Sequence, residues 1–214
     1  MRVAIAGGHG KIAMRLARLL VEDDHEVRAL IRNPDHSADV RETGAEPVVF
    51  DLEEADEAET AGAVVGMDAI VFAAGAGPGS GPERKWTVDY GAAAKLIIAA
   101  SAAEISRYVM VSAQNADPTA EGDDAFAVYL QAKGKADEDL QNSGLDYSIV
   151  RPTGLTDEPG AGTVEIAEKV GRGEISRDDV AAVLHRVLHE PATICKTFEV
   201  GPGDVPVDRA LAAI

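Results

Sequence analysis

Apolar positions in this 214-residue chain alternate between two kinds of segment. Short unbroken runs read as strands buried on both faces, and apolar residues recurring every three or four positions read as one face of a helix. Residues 3–6 form the first run. Residues 11–22 follow with Ile12, Leu16, Leu19 and Leu20 on one helical face. A second strand is predicted over 26–31, punctuated by Asn33-Pro34. A short helix containing Val40, a strand over 47–50, an acidic helix over 53–65 and an apolar strand over 68–74 come next. A loop rich in Gly and Pro (75–82) leads into a long Ala-rich helix ending near residue 104. A strand over 108–112, a loop with Asp117-Pro118, a helix over 124–142 and a strand over 147–150 complete this part. Strands alternating with helices at this spacing predict an α/β fold, a doubly wound parallel sheet whose right-handed crossovers bring every strand's carboxyl end to one edge.

Beyond Arg151-Pro152 the pattern loosens. Residues 153–173 are Gly-rich and read as irregular, with one short strand over 163–166. Ser176, with Asp179 three residues on, has the form of an N-cap before a helix ending near residue 190. Residues 198–200 read as a last strand. We therefore expect a single domain over 1–214, in which 151–214 contribute a small C-terminal substrate lobe. So short a lobe encloses a modest pocket rather than a nucleotide-sugar site. Thr153, Leu155 and a flexible Gly160-Ala161-Gly162 segment are expected to line or cover it.

Charge narrows the partners. With 37 acidic against 20 basic residues the chain carries a formal charge of −17, and such a surface repels nucleic-acid backbones and anionic membranes. Salt adaptation and ordinary acidic composition both fit this charge. The single cysteine, Cys195, excludes an intramolecular disulfide and reads as an ordinary thiol in a reducing compartment. No apolar stretch after Met1-Arg2 has the length of a signal sequence, and none is long enough for a membrane span, so a cytoplasmic location is expected. Monomer and homodimer both remain open.

The chemistry enters at Gly7-Gly8-His9-Gly10-Lys11-Ile12-Ala13, placed directly between the first strand and the first helix. Phosphate needs backbone amides at close range, which a turn without Cβ atoms permits, and a helix N-terminus adds partial positive charge. Gly7, His9, Gly10, Lys11 and Ile12 are thus candidates to hold the pyrophosphate of a dinucleotide in a Rossmann-type fold. An acidic residue at the end of the second strand would bind a ribose 2′-hydroxyl and repel a 2′-phosphate. This chain has Leu30-Ile31-Arg32 there, and the planar guanidinium of Arg32 suits a phosphate, so NADP(H) is favoured over NAD(H). Asp51-Leu52 would flank the adenine, and Ala73-Ala74-Gly75 would leave room for ribose and pyrophosphate.

Together with Arg32-Asn33-Pro34, Arg151-Pro152 and residues 175–180, these motifs resemble the short-chain dehydrogenase/reductase superfamily. More narrowly, they resemble its atypical branch of NAD(P)H-binding proteins related to extended epimerases and NmrA-like proteins. The resemblance implies that Pro152 and Thr153 neighbour the nicotinamide. Tyr129-Leu130-Gln131-Ala132-Lys133 matches the family's Y-x-x-x-K, in which i and i+4 share a helical face. By that resemblance Lys133 would bond the ribose and lower the Tyr129 pKa, and Tyr129 would pass the proton as hydride moves. Ser112 falls near the family's active-site serine, although Ala113 occupies the second slot of the usual Ser-Ser pair. Asp89 falls where extended members carry asparagine. Two functions fit: an NADP(H)-dependent oxidoreductase or epimerase acting on a small carbonyl or hydroxyl substrate, or an NADP(H)-sensing regulatory protein without turnover. The five histidines are scattered; His185 and His189, at i and i+4, read as a solvated helix face, and no metal site is expected.

Overall fold

The computed structural model describes residues 1–77 and 79–214; Pro78, within the loop expected over 75–82, lies outside the described residues. Six parallel strands form the centre: β1 (Arg2–Ala6), β2 (Glu26–Ile31), β3 (Glu46–Val49), β4 (Ala69–Phe72), β5 (Arg107–Val111) and β6 (Asp146–Pro152). Their spatial order, 3-2-1-4-5-6, reverses direction between β1 and β4. That reversal opens a crevice at the carboxyl edge, where open α/β sheets take their ligands.

Alternation along each strand divides the interior in two. Val3 and Ile5 of β1 face helices α1 (Lys11–Glu22), α2 (Ser37–Arg41), α7 (Arg177–Val187) and α8 (Val207–Leu211). Ala4 and Ala6 face α3 (Glu57–Val64), α5 (Ala93–Ala102) and α6 (Ala125–Gln141). Strands buried on both faces carry unbroken apolar runs for this reason, as in Ile70, Val71 and Phe72.

The C-terminal third corrects two expectations. It extends the sheet and makes it mixed where an all-parallel sheet is expected. β10 (Lys196–Pro202) pairs parallel with β6, β8 (Thr163–Ala167) pairs antiparallel with β10, and β11 (Val205–Pro206) pairs antiparallel with β8. Among the described residues the sheet thus has nine strands and is mixed at one end. β7 (Gly154–Thr156) and β9 (Glu174–Ser176) form a separate two-stranded piece. The Gly160–Gly162 segment is also held. The Gly160 N–H donates to Asp178, and the Ala161 and Gly162 N–H groups donate to Asp179 at 3.0 and 2.8 Å. Asp179 therefore does not close a capping box on Ser176; the Ser176 hydroxyl accepts from the Asp178 N–H.

Two helix boundaries differ from the sequence pattern. The acidic helix begins at Glu57, because Asp56 and Glu59 form a reciprocal capping box that stops it from reaching back to residue 53. The long Ala-rich helix is interrupted: α4 (Pro82–Arg84) runs into a π-helical stretch, Lys85–Ala92, before α5. Wider π winding re-aims side chains and recurs at functional sites.

Candidate dinucleotide site

A cleft of about 330 Å³ opens at the β1/β4 reversal, lined by the turn after β1, the ends of β2 and β3, and residues 73–76. Its floor exists because three residues lack side chains. A Cβ on Gly7 would lie 2.6 Å from the Ala74 Cα, and its φ of +76° is a conformation that side-chain-bearing residues rarely adopt. A Cβ on Gly8 would lie 2.6 Å from the Ala29 Cβ, and one on Gly10 would lie 3.0 Å from the Gly7 carbonyl oxygen. No side chain among the described residues caps α1, and its first turn holds no acidic residue. The first bond back into the helix runs from the Met14 N–H to the Gly10 carbonyl at 2.9 Å. Amides ahead of it meet the cleft with the positive end of the helix dipole.

The cleft brings together Gly7, His9, Gly10, Arg32, Asp51, Leu52, Ala73, Ala74 and Gly75 from the sequence-based set. Others fall outside it. The Lys11 side chain turns away to pair with Asp157, which also receives Arg177 at 3.0 Å. The Ile12 side chain belongs to the core beneath α1. Pro152 and Thr153 are buried beside β10, where the Thr153 N–H donates to the Val200 carbonyl. These four do not line the cleft, so only the backbone amides of Lys11 and Ile12 remain placed for a phosphate.

Arg32 does reach the cleft, but with a partner the sequence pattern did not reveal. Glu53 accepts from Arg32 at 2.9 Å, from Arg84 at 2.6 Å and from the Thr87 hydroxyl at 2.7 Å. Burial alone would raise the Glu53 pKa; the bonds from Thr87 and Arg84 and both guanidinium charges outweigh it and hold the carboxyl low. Two guanidinium groups thus meet at one carboxylate beside the end of β2, with Asp51 on the same wall of the cleft. His36 also lines this wall, stacked on His9 with ring centroids 3.7 Å apart, and His9 bonds Asp39 at 2.8 Å.

The proposed proton-transfer residues lie past Gly75. Lys133 is buried; its Nζ donates to the Val111 carbonyl at 3.0 Å and lies 3.6 Å from Asp89. Asp89, also buried, accepts from the Ala76 N–H at 3.2 Å, which ties the loop after β4 to the π-helical stretch. Tyr129 sits one helical turn before Lys133, with Lys85 Nζ 5.4 Å above its ring and the exposed Phe126 alongside. Its pKa is pushed well up, first by burial and then by the charges of Asp89 and Asp137, the reverse of the lowering expected from Lys133. Lys133 spends its charge on Asp89 and the carbonyls instead.

Ser112 is likewise engaged elsewhere. Its hydroxyl donates to Asp137 at 2.8 Å, and Arg151 grips the same carboxylate oxygen through Nε at 2.9 Å and Nη2 at 2.8 Å. A serine locked in this buried network holds α6 against β5 and β6 and is not free to polarise a carbonyl. Asp137, Glu53, Arg84 and Lys85 were all missed from sequence. Asp137 left one signal: it lies four residues after Lys133, hence on the same face of α6.

Residues 7–191 match the NAD(P)H-binding protein family. The chain is 42% identical to "Uncharacterized sugar epimerase YhfK" of Bacillus subtilis (strain 168) over 99% of both chains. Among solved structures, a "Putative NAD-dependent epimerase/dehydratase" of Bacillus halodurans superposes with a TM-score of 0.92 at 37% identity, covering 100% of both chains. The oxidoreductase ylbE of Lactococcus lactis superposes at 0.88 with 29% identity, over 100% of this chain and 96% of that one. The glycine turn at the sheet's reversal point, an uncapped first helix and these matches agree: the chain belongs to the NAD(P)H-binding family of Rossmann-fold proteins and is similar to members named as epimerases.

Proposed function

We propose that this protein is an NADP(H)-dependent oxidoreductase or epimerase that acts on a small carbonyl or hydroxyl compound. The observation that carries the cofactor choice is the pair of guanidinium groups, Arg32 and Arg84, meeting at the cleft wall with no acidic residue at the end of β2. A 2′-phosphate entering there would compete with Glu53 for both forks.

The glycine turn fits a pyrophosphate because a Cβ at Gly7, Gly8 or Gly10 would press on Ala74, Ala29 or the Gly7 carbonyl, and the tight turn that their absence allows presents backbone amides to the cleft. Bound there, the cofactor supplies or takes up hydride. The chain's own residues do the rest. Gly7, Gly10 and the amides opening α1 hold the phosphates, and Asp51 and Leu52 flank the adenine. Lys133, fixed by Asp89, braces the loop 74–76 from behind at the ribose position. Tyr129, one helical turn before Lys133 on α6, is the group we assign to pass a proton to the oxygen of a carbonyl being reduced; the helical spacing supports this role, and the upward push on its pKa from burial, Asp89 and Asp137 does not. Phe126, exposed beside it, offers an apolar face to a small substrate.

Fluorescence titration with NADPH and NADH tests the cofactor. NADPH is expected to bind about tenfold more tightly, an advantage that Arg32→Ala removes while leaving NADH unaffected. Equal or tighter binding of NADH overturns the choice. Turnover on a panel of small aldehydes, ketones and sugars tests the proton donor. Tyr129→Phe should lose about 10²–10⁴-fold in kcat at unchanged NADPH affinity. Equal rates for the two proteins would remove Tyr129 from the chemistry.

A further inference from the structure

The sheet edge opposite the cleft gathers three of the chain's five histidines. His25 lies in the turn between α1 and β2, one residue before β2 begins, and His185 and His189 lie at the end of α7. Residues remote in sequence thus place one imidazole nitrogen each within 4.8 Å of the others. The His25 and His189 rings stack with centroids 4.9 Å apart, and His189 lies 5.6 Å from His185.

We propose that His25, His185 and His189 form a binding site for a divalent transition-metal ion of the zinc class. His189 is oriented as metal-binding histidines are: its Nδ1 donates to the His185 carbonyl at 3.0 Å, which leaves the Nε2 lone pair outward. His185 Nε2 is buried and lies 2.9 Å from an Asp23 oxygen, off the direction of a satisfied hydrogen bond. A cation at this nitrogen would satisfy it. Three imidazoles form a zinc donor set whose fourth position is taken by water. Two helix C-termini, those of α1 and α7, end at the cluster and add negative potential where the ion would sit. His185 is accordingly not the solvated helix face that its i, i+4 spacing with His189 implied; its side chain is 14% exposed. An ion held there would clasp the α1–β2 turn to the end of α7.

Protein without a polyhistidine tag, stripped with EDTA, would be titrated with Co²⁺ and then Zn²⁺. The expected result is one saturable equivalent of Co²⁺ with the intense visible absorption of four-coordinate geometry, bleached by Zn²⁺. Zn²⁺ at a hundredfold excess over its Kd should raise Tm by about 5–10 °C. His25→Ala and His189→Ala should each lose the absorption and the Tm shift. Both variants should retain wild-type circular dichroism and NADPH affinity, because the cleft lies on the other edge. Absence of a saturable cobalt spectrum overturns the proposal, and so does a spectrum that survives in both variants, which would place the ion on the acidic surface. If either variant misfolds, His185→Asn replaces it under the same criteria.

Discussion

Helices α1 and α7 lie on the same face of the sheet and treat their N-termini in opposite ways. α7 begins on Ser176, whose hydroxyl accepts the Asp178 N–H, and Asp178 and Asp179 fill its first turn. Those carboxylates also hold the 160–162 backbone. α1 begins on Gly10, with no side-chain cap and no acidic residue in its first turn. A cap on α1 would favour the helix by about 1 kcal/mol, so leaving it bare sacrifices stability. The difference teaches where the ligand goes: orphan amides and a positive dipole end persist when something from outside satisfies them, and α7 completes itself from its own chain.

Substitutions at the two starts should therefore read out differently. The largest effect is expected at Gly7→Val, which puts a side chain against the Ala74 backbone and into a positive-φ position. NADPH affinity should fall by about a hundredfold or more in a titration, with circular dichroism confirming the fold. Retained affinity would mean that the turn does not carry the phosphates. Next, Gly10→Asp transfers α7's solution to α1. It supplies a cap and a negative charge, and NADPH binding should fall roughly tenfold below that of Gly10→Asn, which brings the same Cβ against the Gly7 carbonyl without the charge that repels the pyrophosphate. Should affinity stay level, the dipole argument for α1 fails.

At the other start, Ser176→Ala should cost about 1 kcal/mol in urea unfolding and leave NADPH affinity unchanged. A change in affinity there would erase the contrast between the helices. The smallest effect concerns pH. Burial raises the pKa of Glu199, but bonds from Gln114, the Val170 N–H and Lys169 outweigh it and leave the carboxyl below its ordinary value. The unfolded chain then binds this proton more readily than the native one. The stabilisation is present above the ordinary carboxylate range and is lost as pH falls through that range toward the lower native value. Unfolding measured at stepped acidic pH should show a shallower decline for Glu199→Gln than for wild type.

Much of the site was legible because it is local. The glycine turn, the start of α1, Arg32 and residues 73–75 sit at junctions between an apolar run and a helical pattern, and chain order alone puts those junctions at one sheet edge. The Tyr129–Lys133 spacing was equally visible, but its electrostatics were not. Whether Lys133 acts on Tyr129 depends on Asp89, which a different helix supplies 3.6 Å away. The π-helical winding of residues 85–92 buries that carboxylate, and no periodicity in the sequence announces it. Glu53 escaped notice because its two guanidinium partners come from β2's end and from α4.

Sequence by itself determined the six-stranded parallel core, the dinucleotide turn and the helices that flank them, because hydrophobic period and glycine placement act within a few residues. Tertiary structure alone decided three matters. It wove the last third into the sheet through a parallel strand, β10, and the antiparallel strands beyond it, it turned Ser112 and Lys133 inward to buried carboxylates, and it drew three histidines together from chain positions 25, 185 and 189. Each is a pairing between distant segments, and such pairings are set by which surfaces must be buried together, a property of the packed chain and not of any window along it.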